Sequence, residues 1–106
     1  MSNDTDTEKI KKLTIIGVTL RISGSNEEAK NNLLEALLLI KTRCQEAGII
    51  CKELGEISMQ ELNFKSAEGY FQQSYFNYLG IDTNKALDSR NLAKKARESY
   101  LESIKK

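Results

Sequence analysis

The chain has 106 residues, enough for one domain with a real core and too few for two. Apolar residues make up 40% and charged residues 29%, which excludes a disordered composition; 16 Lys and Arg against 15 Asp and Glu leave a net charge of +1, so bulk charge argues for neither nucleic acid nor an anionic membrane. The longest apolar run, Ala36 to Ile40, is too short to span a bilayer, no basic-then-apolar segment opens the chain, and two cysteines are too few for a disulfide framework. A cytoplasmic protein is expected, with Cys44 and Cys51 as reduced thiols.

Residues 1–7 are polar and acidic and read as a disordered tail, with Asp6 or Thr7 capping the first helix; a single domain is expected over 8–106. That first helix is expected from about Glu8 to Ser23. Ile16, Val18, Leu20 and Ile22 alternate with Gly17, Thr19 and Arg21 as a half-buried strand would, while Ile10, Leu13, Ile16, Gly17 and Leu20 fit a helix equally well. Ser23-Gly24-Ser25-Asn26 is a break, and a second helix is expected over about Glu27 to Gln45, with Ala29, Leu33, Ala36, Leu37 and Ile40 as its core stripe. Leu34, Leu38 and Leu39 widen that face and are expected to be buried between neighbouring helices. Glu46-Ala47-Gly48 reads as a turn into a third helix, about Ile49 to Gln60, which carries Ile50, Cys51, Leu54, Gly55 and Ile57. A fourth helix, about Phe64 to Leu79, carries Phe64, Ala67, Tyr70, Phe71, Ser74, Tyr75 and Tyr78. Gly80 to Asn84 ends it and caps a fifth, about Lys85 to Ile104, with Leu87, Leu92, Ala96, Tyr100 and Ile104 as its apolar positions.

A shift of 38 residues superposes these helices. Ile16-Gly17 falls on Leu54-Gly55 and then on Leu92-Ala93; Leu13 falls on Cys51, Ala29 on Ala67, Leu33 on Phe71 and Ala36 on Ser74. The loop Gly24-Ser25-Asn26 falls on Leu62-Asn63-Phe64. Residue size and spacing recur more than identity does, and such periods mark stacked supersecondary units, here a helical hairpin. The recurrence decides the first segment in favour of helix, giving an all-α fold of about five antiparallel helices.

The pattern resembles the tetratricopeptide repeat (TPR) family, whose signature sets large-apolar, then Leu-Gly, on one helix and Ala with an aromatic on the next. Leu13, Ile16, Gly17, Leu20, Ala29, Leu33 and Ala36 carry it once. Cys51, Leu54, Gly55, Phe64, Ala67, Phe71 and Ser74 carry it again. The resemblance implies a right-handed α-solenoid of about two and a half repeats: one over about 10–45, a second over about 48–81, and a closing helix over about 84–105. Ile16, Gly17, Ala29, Leu33, Leu54, Gly55, Ala67 and Phe71 would be its packing residues. It further implies a concave groove lined by alternate helices: Lys11, Thr14, Ile15, Val18 and Ile22 from the first, Ile49, Lys52, Glu53, Glu56 and Met59 from the third, and Leu87, Arg90, Asn91, Lys94 and Arg97 from the fifth. An amphipathic helix or extended peptide with apolar anchors and an acidic end would suit such a groove. Thr14 and Val18 stand where a clamp for a carboxylate tail would want Lys and Asn, which argues against a chaperone-tail receptor.

Chemistry has little to work with. The chain has no histidine, so the commonest base and metal ligand are absent, and Gly17 and Gly24-Ser25 lack the phosphate-loop pattern. Asp82-Thr83-Asn84 begins like a calcium loop, but Ala86 and Leu87 follow where a ligand and glycine are needed. No enzyme activity, cofactor or metal is expected. The expected function is a protein–protein interaction module, an adaptor, scaffold or escort; the alternative is a structural subunit that forms an obligate homo- or hetero-oligomer through an outer apolar face.

Overall fold

The computed structural model describes residues 2–105, with side chains from Thr5 onward. It is all-helical: α1 (Ser2–Ile22), α2 (Asn26–Leu39), α3 (Gln45–Gln60), α4 (Phe64–Tyr78) and α5 (Thr83–Ile104), with no strand among the described residues. The molecule is elongated, 54 × 32 × 18 Å. Each helix packs on its chain neighbour and α1 also reaches α3, whereas α3 and α5 have at most marginal backbone contact.

The first hairpin closes around a core of Ala29, Leu33 and Ala36 from α2 and Ile50, Leu54 and Ile57 from α3, with Ile10, Leu13 and Leu20 of α1 packed against it. Gly17 sets the closeness of the α1–α2 crossing: a Cβ there would lie 2.6 Å from Leu33. Gly55 does the same for α3 and α4, where a Cβ would lie 2.5 Å from the Phe71 ring. Gly17 and Leu33 are 38 residues before Gly55 and Phe71, so the two hairpins share one crossing.

The helix ends repeat as well. At the end of α1, Ser25 N–H donates to Leu20 O and Gly24 N–H to Arg21 O; at the end of α3, Asn63 N–H donates to Ser58 O and Leu62 N–H to Met59 O. Both are Schellman turns, which require one residue with positive φ. Gly24 supplies it at 91° and Leu62 at 62°.

Several boundaries differ from the sequence expectation. The segment 2–7, expected as a disordered tail, belongs to α1, and Asp6 and Thr7 lie inside the helix rather than capping it; no glycine or proline interrupts it, and the helix simply extends. Met1 lies outside the described residues. α2 stops at Leu39 rather than Gln45, because Ile40 (φ −87, ψ 125) and Cys44 (φ −163, ψ 170) are extended. The expected turn at Glu46-Ala47-Gly48 is the first turn of α3. Gly48 marks a close approach instead, since a Cβ there would lie 2.8 Å from Tyr78.

In the first hairpin, Ile16 and Leu38, expected in the core, are not there. Ile16 is 44% exposed although its counterpart Leu54 is 1% exposed, because among the described residues no helix covers that side of α1. Leu38, expected to be sandwiched, is 78% exposed on the outer side of α2.

α5 also departs from the 38-residue register. Its buried stripe is Ala86, Ser89, Ala93 and Ala96, while Leu87 and Ile104, expected in the core, are exposed. That stripe lies 39 residues after Ala47, Ile50, Leu54 and Ile57, the face α3 turns inward. Small side chains let α5 approach α4 closely, and rotating the helix by one position puts them there. Ser74 Oγ, buried in α4, donates to Gly48 O at 2.7 Å and lies 2.8 Å from Ser89 Oγ. Ser74 has one proton and directs it to Gly48, so Ser89 is the donor across α4–α5. At the α5 entry Asp82 accepts from Lys85 N–H, the expected cap.

Candidate protein-binding surfaces

The residues expected to form one groove divide among three places. Between α1 and α3 the surface is closed by ion pairs. Arg21 Nε bonds Glu53 Oε1, and an Arg21 amino group lies 3.5 Å from Glu56, which is also 3.8 Å from Lys52. Arg21 and Glu53 are both largely buried, where each charge needs its partner. Thr14, expected in the groove, is buried, and its Oγ1 donates to Ile10 O. Ile15 and Ile22 are exposed, and Val18 and Met59 are half-buried.

The second place is the cleft between α3 and α5, where Lys52 and Glu56 face Asp88, Asn91, Leu92 and Lys95 across a space of about 370 Å³. It continues past Ile49 and Glu53 to Tyr78 and Lys85. Asp88, Asn91, Leu92 and Lys95 lie 39 residues after Ile49, Lys52, Glu53 and Glu56. The rotation of α5 therefore carries Asn91 into this cleft and swings Arg90, Lys94 and Arg97 out of it. The lining mixes Lys52, Lys85 and Lys95 with Glu53, Glu56 and Asp88 and has no dominant sign of charge.

Arg90, Lys94 and Arg97 define the third place. Together with Glu68, Gln72, Tyr75 and Phe76 of α4 they line a groove of about 430 Å³ on the opposite flank of α5. Among the described residues none of the three cations has an ion pair, with Asp88 and Glu98 of the same helix or with any other carboxylate. Phe76 is exposed, and the Arg43 guanidinium stacks on its ring at 5.4 Å while donating to the carbonyls of Phe76 and Leu79. Arg43 thus caps the last turn of α4 and holds the aromatic wall in place.

Sequence reasoning did not find Arg21 as the bridge to α3, Arg43 as the clamp on Phe76, or the aromatic wall beside Arg90. One signal was available. Leu87, Arg90, Lys94, Arg97, Leu101 and Ile104 succeed one another at steps of three and four, the spacing of a helix-contacting seam, and all six are exposed.

Cys51 is buried in α3, with its thiol 3.7 Å from Gln73 Oε1; burial, reinforced by Cys44, pushes its pKa from 9.0 to about 11. A thiol held neutral in this way is not a nucleophile. Burial, then the charges of Asp82, Glu53 and Glu46, raise Tyr78 from 10.0 to about 12. No group of three or more His, Cys, Asp or Glu side chains among the described residues could hold a metal ion, and no helix is long and apolar enough to cross a membrane. Set against known proteins, the chain matches no family model, no curated protein and no solved structure.

Proposed function

We infer that this chain is a non-enzymatic protein–protein interaction module, an adaptor, scaffold or escort, built as a short array of TPR-like helical hairpins. The recurrence of the Gly17–Leu33 crossing at Gly55–Phe71, and of the Gly24 turn at Leu62, supports the array. The single observation that carries the function is the flank of α5, where three unpaired cations stand beside exposed aromatic surface while most charges between α1 and α3 are paired off. Unpaired like charges in a row repel one another and gain from an opposite charge brought by a partner.

The test is comparative affinity capture from native lysate with the intact chain and with the Arg90→Glu/Arg97→Glu variant. Both residues are exposed, so the variant should keep its helical circular dichroism. Proteins enriched by the native chain and lost with the variant are expected. Identical enrichment by the two would remove this reading.

A second reading is favoured by a separate observation, the exposed Ile15, Ile16 and Ile22 of α1 together with Leu38 of α2. An apolar end of this kind suits a structural subunit that forms an obligate homo- or hetero-oligomer. Light scattering at micromolar concentration decides its homo-oligomeric form, which a clean monomer would exclude.

A further inference from the structure

In both completed hairpins the first helix offers one flank to its successor. α3 turns Cys51, Gly55 and Ser58 toward α4, where Gly55 meets Phe71 and Cys51 meets Gln73. In the 39-residue register that the buried stripe of α5 obeys, the positions corresponding to Cys51, Gly55 and Ser58 are Arg90, Lys94 and Arg97. Among the described residues, the place that α2 fills beside α1, and α4 beside α3, is filled by no helix beside α5. Its floor is Arg90, Lys94 and Arg97, which the exposed Leu87 precedes and the exposed Leu101 and Ile104 follow at the same spacing, and its wall is Glu68, Gln72, Tyr75 and Phe76.

We propose that a helix from a partner protein docks in this place, antiparallel to α5, and that its contact face carries acidic residues in the middle with apolar residues at either end. The chemistry comes from the order of the seam, in which leucine, three cations, leucine and isoleucine occur at steps of three and four. Carboxylates at matching steps would neutralise Arg90, Lys94 and Arg97, and apolar side chains would cover Leu87 at one end and Leu101 and Ile104 at the other. A second copy of α5 is a poor occupant, because antiparallel pairing would set the cationic centre of one seam against that of the other. The exposed face of α1 is no better, for it offers Lys12, Ile15, Thr19 and Ile22 around a single Glu8.

The proposal rests on the interaction-module reading and can fail without it. The probe is a fluorescent helical peptide of four heptads whose contact positions, from its N-terminus, read Leu, Leu, Glu, Glu, Glu, Leu, the order an antiparallel helix needs, titrated against the full chain at two salt concentrations. Its controls are a scrambled peptide of the same composition and a single-stranded oligonucleotide. Saturable binding of the ordered peptide is expected, at least tenfold tighter than the scrambled one, weakened about tenfold or more by Arg90→Glu/Lys94→Glu/Arg97→Glu and also by Leu101→Asp. Equal binding of ordered and scrambled peptides, or unchanged binding by the triple variant, would overturn the proposal. Binding lost instead with Lys52→Glu/Lys95→Glu would overturn it too, while leaving an interaction module that uses the α3–α5 cleft. Preference for the oligonucleotide over the peptide would overturn both.

Discussion

Three glycines inside helices look alike in sequence and differ in what surrounds them. Gly69 has nothing within 4 Å of a would-be Cβ, so Gly69→Ala gains helix propensity without a clash and should stabilise by about 0.5–1 kcal/mol. At Gly17 the added methyl meets Leu33, a flexible side chain on the end hairpin, whereas at Gly55 it meets the rigid Phe71 ring in the middle of the stack. Gly55→Ala should cost about 2 kcal/mol net and Gly17→Ala less. Urea midpoints of the three variants check the order; a Gly55→Ala protein as stable as the native chain would mean the α3–α4 crossing is looser than described. Cys51 and Tyr78 make a second residue-scale prediction. Both hold their protons more tightly folded than unfolded, so their contribution to stability is complete below pH 9 and 10 and disappears as pH rises through about 11 and 12. The urea midpoint should fall over that window, less steeply in Cys51→Ala, and an unchanged slope in that variant would rule out the thiol as a cause.

At the scale of the element, the turns after α1 and α3 are one motif with different residues at its critical position. Gly24 takes positive φ freely, whereas Leu62, at φ 62°, bears the strain of a Cβ in the left-handed region. Leu62 is also exposed, so little packing offsets that strain. Leu62→Gly should stabilise the chain by about 1 kcal/mol and Gly24→Val should destabilise it by at least as much, both read from thermal unfolding. The existence of all five helices was legible because apolar periodicity and the breaks at 23–26, 62–63 and 80–84 are local signals. The end of α2 was not, because Lys41-Thr42-Arg43 carries no glycine or proline, and Gly48 was misleading because a glycine that admits a ring looks in sequence like one that makes a turn. The facing of α5 was not legible either. Leucines at 87 and 92 and isoleucine at 104 suggest an apolar inward stripe, but α4 accepts the small stripe of Ala86, Ser89, Ala93 and Ala96 instead. That one-residue rotation moved Arg90, Lys94 and Arg97 out of the expected groove to another surface.

For the whole molecule, two like hairpins and a fifth helix make an elongated stack with two dissimilar ends. The α1 end shows isoleucines that the stack would cover in its interior, and the α5 end shows a seam with cations at its centre. Among the described residues the pairing Arg21–Glu53, with Glu56 and Lys52 beside it, ties α1 to α3 by charge, and it leaves little on that inner surface for a ligand to pair with. The central claim is that the partner surface is the open flank of α5 rather than the inner face of α1 and α3. Backbone amide chemical-shift mapping of the labelled chain with the acidic helical peptide tests it most directly. Perturbations are expected along Leu87, Arg90, Lys94, Arg97 and Leu101 and at Tyr75 and Phe76; perturbations centred on Val18, Lys52 and Glu56, or none at saturating peptide, would contradict the account.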